Sequence, residues 1–333
     1  MADDDLLLVP PVPDALREAA QVAGNLIPFI GAGASRLAGC PSWIELADAA
    51  FNCFVDQGKF SHAQLDQIKS LNPRVKLSLA VGMQDELRIT IDFKKLIHPV
   101  ERQDHANGRR LYGILAKLGR TFVTTNCDEW LDEVLPEPSL SVHGVADGRV
   151  GAVPKRRDVF VDREELTAAN LNREGAVLHL HGSVRKPEGM IITTRHYVKH
   201  YENDRRLKTT DAENPVLTFL EFLFRTKTVL FIGYGLEELE ILEYVILKTR
   251  DLKTPNAQPR HFILQGYFSH QRELMLSMRR YYRDCGIELL PFLMDPRGHE
   301  QLIEVLDAFA RTVPPSTLAV LQEFEEMETL LNG

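Results

Sequence analysis

Residues 26–35 read Leu26-Ile27-Pro28-Phe29-Ile30-Gly31-Ala32-Gly33-Ala34-Ser35, and this stretch decides the fold class. Its first five residues are all apolar, as in a strand buried on both faces of a parallel sheet. The small residues that follow let a backbone come close to a ligand. Amides of Gly31, Ala32 and Gly33 and the hydroxyl of Ser35 are suited to donate to pyrophosphate oxygens. A Gly-x-Gly alone is also what a tight strand-to-helix turn requires, and the third glycine of the usual dinucleotide fingerprint is missing.

Similar short runs rich in Val, Ile, Leu or Phe recur at Thr121 to Thr124, Ala176 to Leu180, Thr228 to Ile232, His261 to Gln265 and Ile287 to Pro291. They alternate with segments of helical period, which predicts an α/β fold: a parallel sheet with helices on both faces. Ser42 and Glu45 form a Ser-x-x-Glu capping box, so a helix is expected from Trp43 to about Asp56. Residues 57–108 carry helical patterns without a strand and read as an inserted helical module. Asn72-Pro73, His98-Pro99 and Asn107-Gly108 punctuate it. The sheet domain is then divided, with its first part in residues 1–56 and the remainder in 109–312. That remainder includes a loop-rich region, 135–174, and a small helical insertion near 195–215. In residues 313–333, Ser316 can cap a last helix whose stripe of Leu318, Leu321, Phe324, Met327 and Leu331 packs on its own domain or on another subunit.

Composition narrows the function classes. The 333 residues are 44% hydrophobic and 26% charged, which is ordinary globular usage. The formal charge of -8 argues against binding nucleic acid over the whole surface. Lys155, Arg156 and Arg157, and then Arg205, Arg206 and Lys208, read as solvated surface. Cys40, Cys53, Cys127 and Cys285 contain no Cys-x-x-Cys pair, so neither a zinc ribbon nor a disulfide framework is indicated. The first residues are acidic where a secretory signal would be basic, and no apolar run approaches the roughly 20 residues of a membrane span. A soluble cytoplasmic protein with reduced thiols is expected.

Three further polar clusters follow predicted strands. Thr124-Thr125-Asn126-Cys127-Asp128 falls where open α/β sheets bind ligands; Asn126 could hold a ribose hydroxyl or a water, or Asn126 or Asp128 could simply cap the next helix. In His179-Leu180-His181-Gly182, a neutral His181 at the strand's mouth can accept a proton near pH 7, whereas His179 lies deeper and suits a hydrogen-bonded structural role. Neither this pair nor His196 and His200 comes with the third donor a metal site needs. The fourth cluster, Gly233-Tyr234-Gly235-Leu236-Glu237-Glu238, suits ribose hydroxyls or adenine, since its carboxylates repel phosphate. Asp85, Asp92 and Lys94 carry the residue types of a metal-nuclease set at poor spacing and read as helical surface.

Taken in order, Gly-Ala-Gly-Ala-Ser, Thr-x-Asn-x-Asp, His-Gly and the late Gly-Tyr-Gly-Leu turn resemble the sirtuin-like family, particularly its bacterial branch associated with phage defence. The likeness spans roughly Leu26 to Ile241 and implies a Rossmann-like domain binding NAD as substrate. It puts Ala32, Gly33 and Ser35 on the NAD phosphates, Asn126 and Asp128 near the nicotinamide ribose, His181 in the role of catalytic base, and Gly233 and Tyr234 on the adenosine side. Pro41-Ser42-Trp43 stands where deacylating sirtuins carry Asp-Phe-Arg, and their four-cysteine zinc module is missing, which disfavours a deacylase. Gly235 replaces a common serine. The zinc-free branch hydrolyses NAD to nicotinamide and ADP-ribose. Its members imply self-assembly and a regulatory partner such as a HerA-like ATPase, with nucleic acid engaged only through a complex. Two other readings are a non-catalytic module sensing NAD or ADP-ribose, and a nuclease subunit.

Overall fold

The computed structural model describes residues 6–133, 157–202, 214–235 and 261–313. At its centre lies the strand Leu26–Ile30 (β1), buried along its whole length. The two-residue period of a strand sends Leu26 and Ile30 into one apolar core and Ile27 and Phe29 into another. Six strands extend it: Phe122–Thr124 (β2), Asp158–Phe160 (β3), Ala176–His179 (β4), Thr228–Ile232 (β5), His261–Tyr267 (β6) and Ile287–Leu293 (β7). All pairings are parallel, in the order β3-β4-β2-β1-β5-β6-β7. The expected α/β Rossmann-like class is what the structure shows. Strand order reverses between β1 and β5, the switch point at which such sheets open a ligand crevice.

A proline in a central strand needs an explanation, because it removes a ladder donor. The Gly31 amide donates to Ile232 in β5, whereas the Ile30 carbonyl accepts from Thr125 beyond β2. Alternation then turns the Pro28 nitrogen toward β2, whose register with β1 begins only at Phe29. The missing donor falls outside that ladder.

The helices among the described residues are Asp14–Gln21 (α1), Ala32–Leu37 (α2), Trp43–Asp56 (α3), His62–Gln67 (α4), Pro73–Leu87 (α5), Phe93–Ile97 (α6), Ala106–Leu118 (α7), Trp130–Glu133 (α8), Ala168–Leu171 (α9), Thr194–Tyr201 (α10), Pro215–Thr226 (α11), Arg272–Asp284 (α12) and Gln301–Thr312 (α13). On one sheet face Leu16, Phe51, Phe54, Leu115 and Phe309 pack over Ile30 and Phe122; on the other, Leu220, Leu223, Met275 and Tyr282 pack over Phe29 and Phe231. The start of α3 is fixed by the expected box: Ser42 Oγ accepts from the Glu45 amide and Glu45 Oε2 from the Ser42 amide. On α5, the fully buried Lys76 ammonium pairs with Asp48 of α3, which joins the two helices.

Three expectations need correction. Asn107-Gly108 is not a break but the first turn of α7, because the His105 ring accepts from the Gly108 amide and caps the helix. Gly108 is small for another reason: a Cβ there would lie 2.3 Å from the Trp130 ring. The loop-rich region 135–174 also contains a strand absent from the expected set, β3, whose three residues are too few to show a period. Arg157 is buried rather than solvated, donating to the Arg120 carbonyl at 2.6 Å with its guanidinium 4.7 Å from the Phe122 ring centre. Burial lowers its pKa to about 10. Lys155, Arg156, the 205–208 cluster, Glu238 and the helix expected after Ser316 lie outside the described residues. No helix among the described residues is long and apolar enough to cross a membrane.

Candidate functional site

Parallel strands deliver their carboxyl ends to one edge. The register sets His179, Thr124, Ile30 and Ile232 abreast, so the segments that follow β4, β2, β1 and β5 leave the sheet side by side. All four motif clusters therefore meet on that edge.

The two glycine turns touch through their backbones. Gly33 N donates to Gly233 O at 2.8 Å, and a Cβ on Gly33 would lie 2.8 Å from the same oxygen. Gly233 has φ +70°, and a Cβ there would lie 2.5 Å from Ala34 N. A side chain at either position would force the turns apart. The ring of Tyr234 is buried with its centre 5.1 Å from that of Phe29 and 5.4 Å from that of Phe231, and its hydroxyl lies 3.0 Å from Thr125 Oγ1.

Asn126 is anchored from three directions. Its amide donates to Thr124 Oγ1 at 3.0 Å, its side-chain Nδ2 to Gly31 O at 2.9 Å, and its carbonyl accepts from His179 Nδ1 at 2.8 Å. Asp128 accepts from the Ser35 hydroxyl and, at 3.0 Å, from the Trp130 amide at the start of α8. The helix-capping alternative weighed for Asp128 is present, and the same carboxylate meets the glycine loop. The hydroxyl of Ser35 is 3.5 Å from that of Tyr112, on which Trp130 stacks with centroids 5.2 Å apart.

The hydrogen-bonded role expected of His179 is present. It is buried, with Nε2 2.8 Å from Asp132 Oδ1 and Nδ1 on the Asn126 carbonyl. Acceptors face both nitrogens, so the doubly protonated ring fits best. Burial opposes that charge, but Asp132 and the Asn126 carbonyl outweigh it and the pKa is raised. Arg185 joins the pair, 2.8 Å from Asp132 Oδ2.

His181 has a different environment. It is partly buried beneath α10, with the rings of Tyr197, His200 and Tyr201 about it at 5.9, 6.2 and 6.1 Å. Its Nε2 is 2.9 Å from the Tyr201 hydroxyl. Burial, aided by His200 and Arg74 and opposed by a hydrogen bond to the Thr125 backbone, lowers its pKa to about 3. The ring is therefore neutral at physiological pH. Gly182, at φ +73°, turns the chain where a Cβ would lie 2.6 Å from Gly189 O.

Sequence reasoning did not find Tyr112, Asp132, Arg185 or the Tyr197–His200–Tyr201 cluster. Asp132 stands four residues after Asp128, within α8, and Tyr197 and Tyr201 are spaced i, i+4 on α10, which are signals only once those helices are known to face the site. Lys94 pairs with Glu129 at 2.9 Å and Asp92 caps α6 through the Lys95 amide, so both have structural employment. No group of three or more His, Cys, Asp or Glu able to hold a metal ion occurs among the described residues.

The chain has no match among curated proteins. A family model described as SIR2-like domain matches residues 120–290, more than half of the chain, and takes in Asn126, His181 and Gly233. The Gly31 loop precedes the matched span and is joined to it by the sheet and by the Gly33–Gly233 contact. The chain belongs to the SIR2-like family.

Proposed function

We propose that this protein is an NAD glycohydrolase, cleaving NAD to nicotinamide and ADP-ribose. The observation that supports this is the meeting, on one sheet edge of a SIR2-like chain, of the glycine loop, the buried Asn126–Asp128 segment and a neutral histidine at position 181. In this reading the pyrophosphate lies on Gly31, Ala32, Gly33 and Ser35, with Thr125 nearby. The adenosine side is met by Gly233, Tyr234 and Glu238. The C1′–N bond breaks and its electron pair leaves with nicotinamide, giving the ribose oxocarbenium character. Asn126 orients the ribose or the attacking water, and the Asp128 carboxylate stabilises the positive charge. Water adds to C1′ and His181 accepts its proton.

We further propose, from the resemblance to the zinc-free bacterial branch, that NAD depletion serves anti-phage defence in the cytoplasm. Assembly into a homo-oligomer, in part through residues 313–333, and control by a partner such as a HerA-like ATPase belong to the same proposal. A second reading is favoured by the engagement of His181 with Tyr201: a module that binds NAD or ADP-ribose without chemistry.

The test incubates the purified chain with NAD, beside Asn126→Ala and His181→Ala, and separates nicotinamide, ADP-ribose and cyclic ADP-ribose by chromatography. Product from the wild type with at least a hundredfold less from either variant supports the hydrolase. Saturable NAD binding with no product supports the sensor. An unchanged rate in His181→Ala overturns the role given to that residue.

A further inference from the structure

An imidazole base can take a proton only through a free lone pair. A neutral imidazole carries its N–H on one nitrogen and its lone pair on the other. In the Nδ1–H tautomer the lone pair is on Nε2, 2.9 Å from the hydroxyl of Tyr201. Burial and Tyr197 raise the phenol's pKa above its ordinary value, so it keeps its proton and in that tautomer donates it to Nε2. One lone pair then has one donor.

We infer that Tyr201 caps the base: its hydroxyl holds the place at His181 Nε2 that a ribose hydroxyl or water must take, and α10 must carry it aside before turnover. This rests on the hydrolase reading and adds to it the means by which the site is held at rest.

The helix is placed to act as the carrier. Its first turn is tied to α5, with the Thr194 amide donating to Ser78 Oγ at 2.9 Å and the Arg74 guanidinium 3.8 Å from the Tyr197 ring centre. Its last turn is held by Asn214, whose Nδ2 donates to the carbonyls of His200 and Glu202 at 2.9 Å each. These are a few polar ties rather than a deep core: His200 is the only residue of α10 that is fully buried.

Tyr201→Phe tests the cap, because it keeps the ring and removes the donor. One net hydrogen bond is worth roughly a twofold to tenfold change in the uncapped population, so kcat/KM for NAD should rise by about that factor. Arg74→Ala, which loosens α10 from outside the site, should raise it in the same direction. A fall in turnover in Tyr201→Phe overturns the cap in favour of a relay. Side-chain ¹⁵N spectra of wild type and Tyr201→Phe supply a readout independent of catalysis: the His181 Nε2 resonance should move when its donor is removed. If neither protein releases nicotinamide, the hydrolase reading fails; an unmoved Nε2 resonance overturns the cap whether or not NAD is cleaved.

Discussion

Replacing Gly233 by alanine separates a contact from a conformation. The residue sits at φ +70°, which costs an alanine about 1–2 kcal/mol in the left-handed region. The added Cβ would also lie 2.5 Å from Ala34 N and 3.1 Å from Gly33 C, both backbone atoms in the first turn of α2, which cannot swing aside as a side chain does. Relief means parting the two turns, at a typical overpacking cost of about 1–3 kcal/mol. It also weakens the Gly33 N to Gly233 O bond, worth about 1 kcal/mol. The total is about 3–6 kcal/mol. Gly24 provides the control, since its φ is +68° and a Cβ there meets nothing within 4 Å. Gly24→Ala should therefore lose only the conformational 1–2 kcal/mol. Urea unfolding followed by circular dichroism measures both, with equal slopes required for the comparison. A Gly233→Ala loss within about 0.5 kcal/mol of the Gly24→Ala loss would refute the claim that the turns are locked backbone to backbone.

Acid should weaken the fold through the His181–His200 cluster. Burial lowers the pKa of His200, with help from Arg163, to about 4 and that of His181 to about 3, both below the unfolded value near 6.5. The unfolded chain binds more protons below that value, so this stabilisation is complete above pH 6.5 and is lost on acidification, by about 2–4 kcal/mol for the pair at pH 5. His179 acts in the opposite sense: its raised pKa gives stability that is present below pH 6.5 and lost as pH rises through the folded value. Urea midpoints at pH 7 and pH 5 decide the matter, and a His200→Gln variant that loses as much on acidification as wild type would contradict it. Gly108→Ala should lower stability by about 1–3 kcal/mol and alter the fluorescence of Trp130, whose ring would lie 2.3 Å from the new Cβ; an unchanged spectrum and midpoint would show that the ring has room to move.

How much of this could be read from the residues depended on how local each signal was. The strand Leu26–Ile30 and the helix Trp43–Asp56 lie where apolar composition and a capping box put them, because those signals need no tertiary partner. The strand Asp158–Phe160 did not register: three residues at a sheet edge have neither length nor period. Asn107-Gly108 misled because its chemistry is that of a turn, while the helix start is set by His105 and the glycine by Trp130, a contact across 22 residues. The four polar clusters were visible as clusters. That Ser35 donates to Asp128, or Asn126 to Gly31, was not, since only the pairing of β1 with β2 brings those residues within reach.

That same mutual engagement bears on how the site would work. The groups that the resemblance assigns to NAD are already hydrogen-bonded within the protein: Ser35 to Asp128, Asn126 to Gly31, Tyr234 to Thr125 and His181 to Tyr201. A ligand would therefore exchange hydrogen bonds rather than add them, and each exchange is worth little on balance, since a net bond contributes only about 0.5–1.5 kcal/mol. What the arrangement supplies instead is orientation, as the Asn126 backbone is fixed at both its amide and its carbonyl before anything binds. A site built this way gains rate from preorganisation rather than from tight ground-state binding, so substitutions at Asn126 should act on kcat far more than on KM. An Asn126→Ala variant whose KM for NAD rose while its kcat held would show that the side chain binds substrate and that its fixed backbone has another purpose.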